Sequence, residues 1–264
     1  VIEAMTPTVP PPKKKTNIKE TIMRSNRTPP MSAIDNKPGL DDGAYILDSV
    51  TVTEKGKVSI YKRDQMKIYS KNRFMFAFYN QLTDRVDAAS GMTEWVNGVL
   101  VETPTANQDE AIEGLSFDLA ISATETGYCQ RLEGMRYGER SVDMVEQWIT
   151  LSTETSEFDG LWKLERSSPE ICSRAGLCEM KLIGGEHYIF FQRYSDKGQP
   201  VTHFGFGSCQ TGASGSLIET GMTSSIEGYA GAEYTLQLEL VDNNQLRQVF
   251  EQDGTLVTQI YSRI

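Results

Sequence analysis

From Gly43 to the end of the chain, apolar residues alternate with polar ones in short runs, and few stretches repeat at the spacing of a helix. The clearest run, Tyr234-Thr235-Leu236-Gln237-Leu238-Glu239-Leu240, switches face at every residue, so one side of that strand meets a core and the other meets water. The same criterion predicts strands at 45–47, 50–52, 65–69, 73–79, 91–96, 99–103, 115–124, 128–135 and 142–151. A second series follows at 161–166, 178–183, 187–194, 201–209, 214–224, 234–241, 245–251 and 256–264. These runs are rich in β-branched and aromatic residues, and turn signals such as Ser70-Lys71-Asn72, Asn97-Gly98, Asn243-Asn244 and Asp253-Gly254 separate them.

The two series are copies of one module. Gln65-Met66-Lys67-Ile68 and Phe74-Met75-Phe76 return 114 residues later as Glu179-Met180-Lys181-Leu182 and Tyr188-Ile189-Phe190. At the same offset Gly91 maps onto Gly205, and Glu113-Gly114 onto Glu227-Gly228. Upstream, Gly43-Ala44-Tyr45-Ile46-Leu47 matches Gly160-Leu161-Trp162-Lys163-Leu164 at an offset of 117. Such a period exceeds the roughly 20–50 residues of a solenoid repeat and equals a small domain. About eight strands per copy, joined mostly by hairpin-sized loops, predict an all-β chain of two tandem antiparallel up-and-down eight-stranded barrels, because closure removes exposed strand edges. The expected division is a tether at 1–42, one barrel at 43–155 and a second at 156–264.

Residues 1–42 hold Pro7, Pro10, Pro11, Pro12, Pro29, Pro30 and Pro38 among lysines, threonines and asparagines. With so little to bury, this segment reads as a flexible tether, either a spacer from a cell-envelope anchor or a disordered terminus. Of the net charge of −10, residues 1–40 contribute +4 and the remainder −14, with no basic stripe. An acidic body repels phosphate backbones, which argues against nucleic acid as a partner. No run approaches the roughly 18–20 apolar residues of a transmembrane helix. The sequence starts at Val1, consistent with removal of a leader, and carries no secretory h-region itself, so a place outside the cytoplasm is an expectation only. Cys172 and Cys178 flank a short polar segment that could close as a disulfide or remain two thiols; Cys129 and Cys209 read as small hydrophobes.

Gly160-Leu161-Trp162 opening an eight-stranded module, with Arg263 on its last strand, resembles the Gly-x-Trp and terminal Arg pair of the lipocalin-like (calycin) barrels. The resemblance implies that Trp162 plugs the closed end and that Arg263 packs over it, both structural. The first copy departs, with Tyr45 for Trp and no Arg beyond Trp148. Bacterial secreted or periplasmic members of that family are the nearest likeness.

An interior of this size takes filling side chains or one small ligand. Phe76, Phe78 and Tyr79 in the first copy, and Tyr188, Phe190 and Tyr194 in the second, are candidates for lining such a pocket, and plain core packing explains them as well. Trp95 lacks an aromatic at Ser208 or Cys209 in the second copy, which singles it out as a further candidate. The two histidines, His187 and His203, lie on neighbouring predicted strands and would be the acid–base groups of an enzyme, or metal ligands with Glu186 or Cys209. No nucleophile elbow, phosphate loop or dinucleotide fingerprint is present, and no cofactor is implied. The leading expectation is non-enzymatic binding of a small apolar or amphipathic molecule inside a barrel. A barrel isomerase or hydratase using His or Tyr, and a protein-interaction or spacer module of the cell envelope, are the alternatives.

Overall fold

The computed structural model describes residues 40–264 apart from 82, 111, 138–139, 169–174, 213–214 and 253, so most of the tether lies outside the described residues. Among the described residues the elements that build the fold are all β-strands. The first barrel comprises β1 (Gly43–Glu54), β2 (Lys57–Tyr61), β3 (Gln65–Ser70), β4 (Arg73–Asn80), β5 (Arg85–Val96), β6 (Val99–Asn107), β7 (Phe117–Ala123), β8 (Gly127–Tyr137) and β9 (Arg140–Ser152). Neighbours pair antiparallel, and β1 closes the ring on β9. The short β2 continues the edge begun by β3, pairing with residues 50–54 of β1 while β3 pairs with residues 43–46.

The second barrel closes from β10 (Gly160–Ser168), β11 (Ala175–Gly184), β12 (His187–Asp196), β13 (Gln199–Thr211), β14 (Ser216–Ser224), β15 (Glu233–Asp242), β16 (Gln245–Gln252) and β17 (Thr255–Arg263). The chain is therefore two closed eight-stranded antiparallel barrels in tandem, consistent with a calycin-like architecture. Lys71-Asn72 and Asn97-Gly98 take positive φ at both turn residues, matching the right-handed twist of the strands they join.

Three readings change. The runs at 45–47 and 50–52 are one strand, β1, bent by a bulge between Leu47 and Ser49 where Asp48-Ser49 imitates a turn. Strand β2 was not anticipated, because its Val58 and Ile60 are exposed and form no buried stripe. The partner of Gly91 is Gly207, not Gly205: Phe74 pairs with Gly91 as Tyr188 pairs with Gly207. Between equivalent pairs, Asn80–Arg85 and Tyr194–Val201, the second hairpin is two residues longer, which shifts the register by two. A Cβ at Gly91 would stand 2.1 Å from the Thr103 carbonyl oxygen, and one at Gly207 2.0 Å from that of Thr220, so both copies need glycine where β5 and β13 press on the next strand. The same shift makes Thr211 the counterpart of Trp95, and Asp87 that of His203.

One apolar core joins the barrels. Met66, Ile68, Met75, Ala77 and Ala88 face outward from β3, β4 and β5 and pack against Met180, Leu182, Ile189, Phe191, Phe204 and Phe206 of β11, β12 and β13. Equivalent strands of the two copies thus meet each other, as in an isologous dimer. The duplicated Met-Lys unit explains this division: Met66 and Met180 point to the other barrel, while Lys67 and Lys181 point inward. The rim is polar, with Lys71 Nζ donating to the Asp159 carbonyl at 2.9 Å and Arg193 to that of Asn107 at 3.0 Å. Arg193 also pairs with Glu110.

Candidate functional site

Each barrel buries the same charged trio. In the first, Lys67 Nζ donates to Glu102 Oε1 at 3.0 Å and to Gln130 Oε1 at 3.1 Å. In the second, Lys181 Nζ donates to Glu219 Oε1 at 2.5 Å and to Gln248 Oε1 at 2.9 Å. All six residues are at most 6 % exposed. An ammonium stripped of water at this depth is tolerated only when a carboxylate and further acceptors replace its hydration.

Next to the trio the copies diverge. In the first barrel Glu146 on β9 accepts from Gln130 Nε2 at 2.9 Å, from Trp148 Nε1 at 3.2 Å and from Arg63 Nη2 at 3.0 Å. Arg63, arriving from the segment between β2 and β3, also donates from Nε to Gln65 Oε1 at 2.5 Å and lies 3.9 Å above the Phe78 ring. In the second barrel the carboxylate and the amide have changed places: Glu179 stands for Gln65, and Gln259 for Glu146. Tyr261 OH donates to Glu179 Oε1 at 2.5 Å, and Gln192 Nε2 donates to its Oε2 at 2.7 Å. Burial holds the Glu179 carboxyl above the ordinary range, against the opposing pull of those two hydrogen bonds and of Lys181.

A cavity of about 130 Å³ opens beside Glu179, lined by Lys181, Glu219, Gln248, Gln259 and Tyr261 at its polar floor and by Phe190, Tyr234, Leu236 and Phe250 on its walls. For scale, a dry engineered cavity of about 150 Å³ holds benzene. Gln192, Tyr234 and Phe250 are only half-buried, which brings solvent to this end of the barrel. Neither the known protein families nor the curated proteins provide a match to this chain.

The closed ends differ as well. Trp162, fully buried, donates from Nε1 to the Phe158 carbonyl at 2.9 Å, and the Arg263 guanidinium lies 4.1 Å from its ring centroid. Arg263 also donates to the carbonyls of Asp159 at 2.6 Å and Asn243 at 2.9 Å. In the first barrel Tyr45 OH donates to the Asp41 carbonyl at 2.7 Å, the same bond by another side chain. Where Arg263 sits in the second barrel, the first has Thr150, and a space of about 290 Å³ is bounded there by Leu40, Asp41, Tyr45, residues 123–128, Thr150 and Thr153.

The remaining candidates are dispersed. Phe76 and Phe78 stack inside the first barrel, and Trp95 packs against the same core, whereas Tyr79 points outward at 42 % exposure with its hydroxyl on Asp84. Phe190 lines the second cavity, and Tyr188 is fully buried below it with its hydroxyl 2.5 Å from that of Tyr229. Tyr194 lies further along the strand, 3.1 Å from His203 Nε2. His187 and His203 do occupy adjacent strands, but they pair across the ladder with Ser208 and Gln192 respectively and so lie far apart along it. Their side chains also leave opposite faces, so they form no joint site with Glu186 or Cys209. Among the described residues no three His, Cys, Asp or Glu side chains are grouped to hold a metal ion. Cys178 packs beside the inter-barrel core, and its suggested partner Cys172 lies outside the described residues.

Lys67, Glu102, Gln130, Glu146, Arg63 and their counterparts are not among the candidates that the sequence pattern singles out. The available signal was a polar residue on the inward parity of a strand otherwise flanked by core residues, as in Gln65-Met66-Lys67-Ile68. Which face was inward could not be fixed there, because β3 is buried on both sides.

Proposed function

We propose that the protein is a non-enzymatic binder that holds a small amphipathic molecule in the second barrel. The observation that carries this reading is the cavity of about 130 Å³, with aromatic and aliphatic walls above a hydrogen-bonding floor. Its volume suits about half a dozen non-hydrogen atoms, so a larger ligand would leave its remainder at the barrel mouth. Membership of the lipocalin-like barrels, supported by the Trp162–Arg263 pair, belongs to the same proposal. So does a periplasmic or secreted location, which rests on that likeness.

Native mass spectrometry of the full chain purified from its source tests the reading. A bound small molecule is expected on the wild type and its loss on Leu236→Phe, which fills the cavity from β15. Retention of the molecule by a folded Leu236→Phe variant would place binding elsewhere.

A further inference from the structure

The first barrel carries in its own chain what the second barrel has room for. Strand pairing makes the two interiors superimposable position by position: Gln65 opposite Phe78 corresponds to Glu179 opposite Gln192, and Gln130 opposite Glu146 corresponds to Gln248 opposite Gln259. Arg63 touches Gln65, Phe78 and Glu146. Their three counterparts, Glu179, Gln192 and Gln259, all line the cavity. In the sequence the residue 114 positions after Arg63 is Leu177, which brings no charge.

From this we infer that the occupant of the second barrel is a compact organic cation, a guanidinium or primary ammonium group on a short body. The inference rests on the reading that this cavity binds a ligand, and adds the ligand's chemistry. Charge balance favours it. Among the described residues, the first interior sets Lys67 and Arg63 against Glu102 and Glu146, whereas the second sets Lys181 against Glu179 and Glu219. An anion would meet two buried carboxylates and a lysine already committed to Glu219 and Gln248. A cation would find Glu179, whose two oxygens each accept one hydrogen bond and retain acceptor capacity, and the rings of Phe190, Tyr234 and Phe250 for its flanks. A planar guanidinium suits a carboxylate beside an amide, the pair that already holds Arg63.

Isothermal titration calorimetry on the full chain tests this with ethylguanidinium, its neutral isostere ethylurea and propionate as probes. Ethylguanidinium is expected to bind with one site and at least tenfold more tightly than ethylurea, and Glu179→Gln, isosteric and uncharged, to weaken it at least tenfold. Arg63→Ala, which empties the corresponding place in the first barrel, is expected to raise the stoichiometry from one to two. Ethylurea or propionate binding as well as the cation, or indifference to Glu179→Gln in a variant with a wild-type circular dichroism spectrum, overturns the inference while leaving the cavity a binding site. Failure of all three probes to bind at millimolar concentration overturns both.

Discussion

The two barrels keep their lysine and move their arginine. Lys67 and Lys181 sit in equivalent trios with a glutamate and a glutamine, yet the first copy places Arg63 in its interior and Thr150 at its closed end, while the second has a cavity beside its trio and Arg263 at its closed end. One arginine lies inside its barrel on Glu146 and Phe78. The other seals the opposite end. What the difference teaches is that the trio belongs to the scaffold, since both copies retain it buried, and that the second copy has a cavity where the first has a guanidinium.

The severest way to break the comparison is to strand the lysines. Glu102→Ala and Glu219→Ala each leave an ammonium buried without its carboxylate, which costs about 3–5 kcal/mol in urea unfolding. Glu102→Ala is expected to be the worse, because Tyr69 OH loses its acceptor at 2.7 Å as well, whereas water can enter the neighbouring cavity in Glu219→Ala. The reverse order would mean that the trio is scaffold in only one copy. At the closed ends, Arg263→Ala removes a stacked guanidinium with two carbonyl bonds and should cost about 2–3 kcal/mol, while Tyr45→Phe removes one hydrogen bond and should cost about 1 kcal/mol. Equal losses on thermal unfolding would remove the distinction between a sealed and an open end.

A smaller effect separates the interiors by pH. The Glu179 carboxyl is raised in the folded state by desolvation, so its favourable contribution is full below the unfolded carboxylate range and is lost as pH rises through the folded value. The groups facing it, Tyr261, Gln192, Lys181 and Glu219, are present in both regimes. Without ligand, Glu179→Gln should therefore stabilise the protein near neutral pH and flatten its stability between acid and neutral pH; no gain over wild type at neutral pH would contradict the assignment. Smallest is the expected response of Cys209, a thiol pushed up to about 12 chiefly by burial: it should resist a maleimide on the native protein and react on unfolding, as rapid native labelling would disprove.

Much of the architecture was legible in the sequence because a barrel strand encodes its own alternation and its turns. Tyr234–Leu240, Asn97-Gly98 and the Gly43/Gly160 match each carry their meaning locally. The candidate site was less legible. Phe190 lines the second interior, whereas the count that sets Trp95 against Ser208 and Cys209 misses its counterpart Thr211, because a hairpin two residues longer intervenes. His187 and His203 looked adjacent from the strand order and are separated by parity, which a residue count through an uncertain turn does not fix.

The sequence by itself determined that this chain is all β and that it is duplicated. Only the tertiary structure decided that Met66 and Met180 meet across a shared core while their neighbours Lys67 and Lys181 turn inward, and that Arg63 pairs with Glu146 whereas Glu179 is held, among the described residues, by Gln192 and Tyr261. The reason is physical. Alternation is set by the pleat within one strand, but whether a buried charge is compensated depends on side chains about 80 residues away, brought together only when the sheet closes.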